Sequence, residues 1–184
     1  IVSEKPDDIC KSDYLVLPGV GNFSVAIKEL KNRGFLEEIK KYAELERPLL
    51  GICLGMQLLF DSSEEQGHHE GLSLIEGKVE PIPRRNSSNI SNKIPHIGWA
   101  RISIVEVDKL HRVNFFDNSN EKFFYFVHSF QGIPTNDDNY LATTKYNDIQ
   151  ITAAVRKGHI IGCQFHPEKS GENGITLIND FLEL

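Results

Sequence analysis

The sequence has few cysteines and no long apolar segment. Its 184 residues include three cysteines, an odd number spread widely along the chain, and this favours a reducing compartment over a disulfide framework. The longest apolar runs, residues 48–53 and 123–127, are far shorter than the ~20 residues that span a membrane, and no signal peptide opens the chain. We therefore expect a soluble protein of the cytoplasm that has no membrane partner.

The sequence also lacks an excess of positive charge. Lys and Arg number 20 against 26 Asp and Glu, for a net charge of −6 at pH 7, and no stretch forms a basic stripe. Nucleic acid is therefore not expected as a partner. The composition, 40% hydrophobic and 25% charged, is typical of a globular protein. At this length folding buries roughly 70% of the exposable surface, so we expect one domain over residues 1–184.

The first third of the sequence alternates strand and helix patterns. Apolar residues 14–17 end at a Pro-Gly turn, and a helical pattern then runs over 25–47 with a break at Gly34 and Ser24 as the expected N-cap. Residues 48–52 predict a second buried strand, and residues 54–60 a second helical segment. Strands that alternate with helices in this way predict a parallel sheet.

The second half is rich in strand patterns that are joined by short polar turns. Strands are predicted over 78–82, 101–107, 123–128, 140–145, 149–155 and 159–165, a solvated loop over 84–93, and a closing helix over 174–184. The fold class predicted from both halves is α/β: an open, mostly parallel sheet flanked by helices, with antiparallel strands added in the second half.

Residues 51–55 read Gly-Ile-Cys-Leu-Gly between a predicted strand and a predicted helix. This is the setting of a nucleophile elbow, in which glycines permit a turn that side chains would block. A thiol at the start of a helix also gains from the helix dipole, which lowers its pKa. Cys53 is thus a candidate nucleophile, and a buried structural cysteine is the alternative for so short a motif.

Residues 164–168 read Gln-Phe-His-Pro-Glu and end the last predicted strand. Side chains two residues apart in an extended chain point the same way, so Glu168 can orient the imidazole of His166. With Cys53 these residues would supply a nucleophile, a base and an orienting carboxylate. Ligands bind at the carboxyl ends of strands in open α/β sheets, where all three are predicted. Taken alone, the His-Pro-Glu segment could also be a surface pair.

Four segments together resemble the class I, or triad, glutamine amidotransferases. They are residues 18–23 (PGVGNF), 51–60 (GICLGMQLLF), 125–129 (YFVHS) and 164–170 (QFHPEKS). Their order and spacing most resemble the glutaminase subunit of imidazole glycerol phosphate synthase, and the resemblance runs from about residue 7 to the C-terminus. It implies a flavodoxin-like fold, no cofactor, and hydrolysis of glutamine through a Cys53 thioester. It also implies a heterodimer, in which the ammonia passes to a synthase partner resembling a (β/α)₈ barrel in histidine biosynthesis.

The resemblance further implies roles for residues around the triad Cys53, His166 and Glu168. The oxyanion would be held by backbone N–H groups of Gly19, Val20, Gly21 and Leu54. The α-amino and α-carboxyl groups of glutamine would contact Gln57, Glu65 (or the adjoining Glu64), Ser129 and Phe130. The partner-facing side would carry a gate formed by Trp99, Tyr125 and Lys169.

Two departures from the family pattern are visible. The family usually begins with a further strand and helix, to which nothing here corresponds, so we expect the chain to be N-terminally incomplete. Ala100 stands where the family tends to have Asn after the Gly-Trp segment. This departure leaves a paralogue open, in which the glutaminase supplies ammonia to a sugar amidotransferase of surface-polysaccharide biosynthesis.

Other functional classes are less well supported. A binding module that has lost turnover would usually have lost a triad residue, and a cysteine peptidase would not hydrolyse free glutamine. No metal is expected at residues 68–70, because adjacent histidines in a polar loop are usually solvated. Cys10 and Cys163 have no neighbouring base in the sequence and are predicted to be structural. His96 lies either near the partner interface or in an ordinary packed loop.

Overall fold

The structure is a computed structural model that describes residues 2–105 and 122–184. Within these ranges the chain forms eleven strands and four α-helices. The strands are β1 (Leu15–Gly19), β2 (Leu49–Cys53), β3 (Phe60–Ser63), β4 (His69–Glu70), β5 (Ile75–Pro81), β6 (His96–Ile104), β7 (Phe123–His128), β8 (Phe130–Pro134), β9 (Tyr140–Tyr146), β10 (Ile149–Lys157) and β11 (Ile160–Cys163). The helices are α1 (Phe23–Asn32), α2 (Phe35–Glu44), α3 (Leu54–Leu58) and α4 (Gly171–Phe181).

Seven strands form the main sheet in the order β1-β2-β11-β10-β9-β6-β7. The pairs β1–β2 and β2–β11 are parallel, and the other four neighbouring pairs are antiparallel. Because each antiparallel step reverses the direction, β1, β2, β11, β9 and β7 all run the same way. The predicted α/β sheet with antiparallel strands in the second half is confirmed, although it is mostly parallel in strand direction rather than in neighbouring pairs. The carboxyl ends of β1, β2, β11 and β7 therefore lie at the same edge.

A second sheet has the strand order β4-β3-β5-β8, and the sequence patterns predicted only β5 of these strands. The helix predicted over 54–60 ends at Leu58, and Phe60 begins β3. Residues 69 and 70, predicted as a solvated loop, instead pair with β3. β8 contains Gly and Pro, which weaken a strand pattern, and it forms by antiparallel pairing with β5.

Several predicted boundaries shift for identifiable local reasons. The N-cap of α1 is Asn22 rather than Ser24, because the Asn22 side-chain oxygen accepts the Val25 backbone N–H at 3.1 Å. Gly34 separates α1 from α2 in the left-handed conformation, with φ 75°. β6 begins at His96, five residues before its predicted start, and of its predicted end residues 106 and 107 lie outside the described residues.

The hydrophobic core has two parts, which strand alternation separates. Leu49 and Leu50 follow each other in β2 and belong to different clusters, because successive strand side chains point to opposite faces. One cluster contains Phe124 and Phe165, whose rings stack at 4.0 Å, together with Phe181 of α4.

No helix in the described ranges is long and apolar enough to cross a membrane.

Tyr42 of α2 ties this helix to the starts of β1 and β2. Its fully buried side chain places the hydroxyl 3.0 Å from the carbonyl oxygens of both Asp13 and Pro48. Each carbonyl lies next to a strand that leads to the carboxyl edge of the sheet.

Replacing Tyr42 by Phe should lower the free energy of unfolding by about 1 kcal/mol, because the single hydroxyl proton that the Asp13 and Pro48 carbonyls share is lost. Tyr14→Phe is the matched control, since the Tyr14 hydroxyl makes no hydrogen bond within the described part of the chain and its ring still packs edge-on against Phe181. Urea denaturation of both variants measures the difference. Equal effects would show that the Tyr42 hydroxyl does not stabilise the fold.

Candidate active site

Parallel register brings the candidate residues to one edge of the main sheet. Gly19 of β1 pairs with Cys53 at the end of β2, and Cys163 at the end of β11 pairs with Ile52. Three residues beyond β11, the His166 backbone N–H donates to the Tyr125 carbonyl at 2.9 Å. This hydrogen bond holds the segment after β11 against β7.

A cavity of about 410 Å³ opens at this edge. The residues predicted around the reacting atoms that line it are Val20, Gly21, Cys53, Leu54 and His166. All four residues predicted to hold glutamine also line it, namely Gln57, Glu65, Ser129 and Phe130. The fold therefore gathers side chains from five separate segments around one space.

Cys53 occupies a sharp turn between β2 and α3. Its backbone has φ 53° and ψ −110°. Residues with a side chain rarely adopt this region, and those that do cluster at functional sites. A Cβ on Gly51 would lie 2.8 Å from the Gly55 carbonyl oxygen, and a Cβ on Gly55 would lie 1.8 Å from that of Leu17. Both glycines are thus required by close backbone approach, as a nucleophile elbow demands.

The Cys53 thiol is buried, with 7% of the residue exposed. Burial raises its pKa to about 11, and hydrogen bonds from the Leu54 backbone N–H and the Gln164 side chain offset only part of this increase. The start of α3 does lower the pKa through the Leu54 N–H, as expected, but desolvation outweighs this contribution, so the net shift is upward rather than the predicted downward one. The thiol is neutral at pH 7, and a base must take its proton before it can attack.

His166, which lines the same cavity, is the candidate for such a base. Its ring is buried, and Nδ1 lies 2.7 Å from Oε1 of Glu168, whose side chain is half exposed. A carboxylate can only accept, so Nδ1 carries the proton and Nε2 of the neutral ring is left as a proton acceptor. Nε2 is buried and has no hydrogen-bond partner in the described residues.

The side chains predicted to bind glutamine already have protein partners. Nε2 of Gln57 donates to the Phe130 carbonyl at 3.2 Å and to Oε1 of Gln164 at 3.0 Å. Oε2 of Glu65 accepts the backbone N–H of Phe23 at 2.7 Å, at the start of α1, where a negative charge is favourable. Glu65, rather than the adjoining Glu64, lines the cavity.

The predicted gate residues form a row outside the cavity. Trp99 and Tyr125 are cross-strand neighbours on β6 and β7, with ring centroids 6.3 Å apart in an edge arrangement. Nζ of Lys169 lies 5.9 Å from the Tyr125 ring centroid, within reach of a cation–π interaction. Because Trp99 is 57% exposed, the row presents apolar surface to solvent.

Two residues of the site were missed from the sequence. Gln164 is fully buried and its Nε2 lies 3.7 Å from the Cys53 Sγ; it stands two residues before His166, so strand alternation could have placed it on the same side. His128 lines the cavity as well, and no sequence signal separated it from the rest of its strand. No group of three or more possible metal ligands occurs in the described ranges.

Comparison with known proteins gives this geometry a family. The family model described as glutamine amidotransferase class-I matches residues 3–184, and the chain belongs to this family. Among curated relatives, imidazole glycerol phosphate synthase subunit HisH 1 of Legionella pneumophila (strain Lens) is 44% identical over 183 residues, which cover 97% of this chain and 84% of that protein. Subunit HisH of Carboxydothermus hydrogenoformans is also 44% identical, over 100% of this chain and 86% of that protein.

Solved structures share the fold. A crystal structure of a glutamine amidotransferase superposes with a TM-score of 0.69 at 19% identity, over 98% of this chain and 83% of that one. The glutaminase domain of Trypanosoma brucei CTPS superposes with a TM-score of 0.59 at 17% identity, over 97% and 74% of the respective chains. The family model and the curated relatives confirm the family resemblance seen in the sequence.

The raised pKa of Cys53 predicts slow alkylation at neutral pH. With a pKa of about 11, the thiolate is on the order of one part in 10³ to 10⁴ at pH 7 to 8 and increases about tenfold per pH unit up to that value. Iodoacetamide labelling followed by mass spectrometry of the Cys53 peptide measures this rate, with Cys53→Ala as the blank. A fast, pH-independent rate between pH 7 and 9 would show that the thiolate is preformed.

Proposed function

We propose that this chain is a glutaminase subunit, acting as one domain, that hydrolyses L-glutamine and delivers the ammonia to the synthase of histidine biosynthesis. The observation that carries the proposal is that a strained, buried Cys53 lines the same cavity as His166, whose Nε2 has no hydrogen-bond partner among the residues that the structure describes. The names of relatives at 44% identity supply the pathway. The three free cysteines agree with a place in the cytoplasm.

The proposed reaction passes through a thioester. His166 takes the Cys53 proton at Nε2, and Sγ attacks the side-chain amide carbon of glutamine. The imidazolium then gives its proton to the departing nitrogen, so that ammonia leaves as the C–N bond breaks. His166 next takes a proton from water, which attacks the thioester, and glutamate is released as the thiol is restored. Glu168 keeps the Nδ1 proton in place throughout.

The tetrahedral intermediates need hydrogen-bond donors for their oxyanion. The Leu54 N–H is one donor, although in the resting structure it serves the Cys53 sulfur. The second would come from the segment Gly19, Val20 and Gly21. Val20 is 79% exposed and Gly21 has φ 103°, so little packing opposes a reorientation of this peptide. We infer that partner docking shifts its population toward the donating conformation.

The proposed partner is a synthase subunit resembling a (β/α)₈ barrel, bound as a heterodimer. The row formed by Trp99, Tyr125 and Lys169 supports docking on this side, because it is exposed and adjoins the segment that carries His166. Ala100 leaves one alternative partner open, a sugar amidotransferase of surface-polysaccharide biosynthesis. The curated relatives described above favour the histidine pathway.

Cys53→Ala should abolish glutamate release while leaving the fold intact, because a single sulfur is removed from the rim of the core. Ammonia added in solution should still support the partner's synthase reaction. Cys10→Ala is the matched control, since Cys10 is half-buried and lies away from the cavity. A coupled assay measures the rate of glutamate release in each variant. A rate in Cys53→Ala above a few per cent of the rate of the unmodified protein would contradict the assignment of Cys53 as the nucleophile.

Lys169→Ala and Tyr125→Ala should change the partner-stimulated rate of glutamine hydrolysis much more than the basal rate, because the row lies outside the cavity. Lys31→Ala, on an exposed turn of α1, should change neither. Glutamate release is measured for the isolated chain, with partner, and with partner and its ligand. A missing oxyanion donor lowers turnover about 10²- to 10³-fold, so stimulation of that order is expected. Equal rates in all three conditions would show a free-standing glutaminase.

A further inference from the structure

Two buried histidines outside the proposed triad bond to each other beside the site. His96 and His128 face each other in the β6–β7 register, and Nδ1 of His96 lies 3.0 Å from Nε2 of His128. They are 3% and 5% exposed. A buried polar pair of this kind is costly to form unless its hydrogen bonds are satisfied, and the mechanism above uses neither ring.

The Phe130 carbonyl oxygen can only accept a hydrogen bond, and this fixes the direction of both hydrogen bonds made by the histidine pair. Nδ1 of His128 lies 2.8 Å from the Phe130 carbonyl oxygen, so this nitrogen must carry the proton. In the neutral ring Nε2 is then an acceptor, and His96 must donate to it from Nδ1. Burial lowers the pKa of His96 to about 4 and that of His128 to about 3, so both rings are neutral at pH 7 and this arrangement persists.

The pair spans the wall between two cavities. His128 lines the cavity that holds Cys53, whereas His96 lines a second cavity of about 570 Å³ on the side of Trp99 and Tyr146. The His96 ring lies between Phe126 and Tyr146, with centroid distances of 5.0 and 4.2 Å. The ring is therefore held on both faces, and its Nδ1–H is aimed at His128.

The Phe130 carbonyl that accepts from His128 belongs to the part of the cavity that is predicted to contact glutamine. The Phe130 oxygen also accepts Nε2 of Gln57, which donates in turn to Gln164, and Gln164 reaches the Cys53 sulfur. A continuous chain of hydrogen bonds thus runs from the second cavity to the nucleophile.

We propose that His96 is a positioning residue for glutamine binding, which acts by fixing the ring of His128 so that its Nδ1–H holds the Phe130 carbonyl. The proposal rests on the glutaminase function proposed above. Without the donor on His96, Nε2 of His128 becomes a buried acceptor without a partner in the described residues, and the ring gains by turning toward water in the cavity, which breaks its hydrogen bond to Phe130 and frees its tautomer to change. The wall that contacts glutamine then loosens, while Cys53 and His166 keep their places.

Two variants separate hydrogen bonding from packing. His96→Phe keeps an aromatic ring between Phe126 and Tyr146 and removes the donor. His96→Asn keeps an N–H near the position of Nδ1 and removes most of the ring. We expect the KM for glutamine to increase about tenfold in His96→Phe and less than threefold in His96→Asn, with kcat within threefold of the unmodified value in both. Thermal unfolding should show the opposite order, with the Asn variant less stable.

The reverse order of KM values, or an unchanged KM in His96→Phe, would overturn the proposal in favour of a packing role. A second measurement does not depend on turnover: imidazole ¹⁵N chemical shifts report the tautomer of His128. The Nδ1–H form should dominate in the unmodified protein and in His96→Asn, and should lose its dominance in His96→Phe. A His128 tautomer that is unaffected in His96→Phe would also overturn the proposal.

The two proposals fail separately. An unmodified protein that releases no glutamate refutes the glutaminase function, and the tautomer measurement then decides the role of His96 on its own. An active protein in which the His96→Phe tautomer and KM both stay unchanged refutes only the role of His96.

Discussion

The placement of β2 between β1 and β11 is the constraint on which the site depends. Parallel pairing on both sides brings the ends of three strands to one level, and only an abrupt turn can then start α3 without striking β1. The approach of Gly55 to the Leu17 carbonyl is so close that no side chain fits between helix and strand. The same contact that packs α3 against the sheet therefore restricts Cys53 to its unusual backbone conformation.

Burial of Cys53 limits the reactivity of its thiol in the unoccupied site. Desolvation keeps the Cys53 thiol neutral, so an unoccupied site carries little thiolate to be oxidised or alkylated. In the proposed mechanism, reactivity instead depends on the ring of His166, whose proton-accepting nitrogen is set by Glu168 on the opposite side.

Local patterns in the sequence predicted the elements that have strong local signals. The strand 123–128 and the elbow around Cys53 were recovered because apolar runs and glycines mark them. β8 was missed because its residues acquire strand structure only by pairing with β5, a contact distant in sequence. The predicted direction of the net shift in the Cys53 pKa was wrong for a related reason. The helix start is visible in the sequence, whereas the burial that outweighs its effect depends on the whole sheet. His128 required the structure, since its partner lies 32 residues away.

The half-exposed Glu168 has a consequence for how the site senses its surroundings. Its carboxylate holds a fully enclosed ring, yet its own side chain is 49% accessible to water. Dissolved cations and solvent dipoles compete for the oxygen that orients His166, and this competition weakens the hydrogen bond. Any surface that covers Glu168 lowers the local dielectric and strengthens the bond to Nδ1. The strength of the hydrogen bond that orients an interior ring therefore depends on what covers Glu168 at the surface of the molecule.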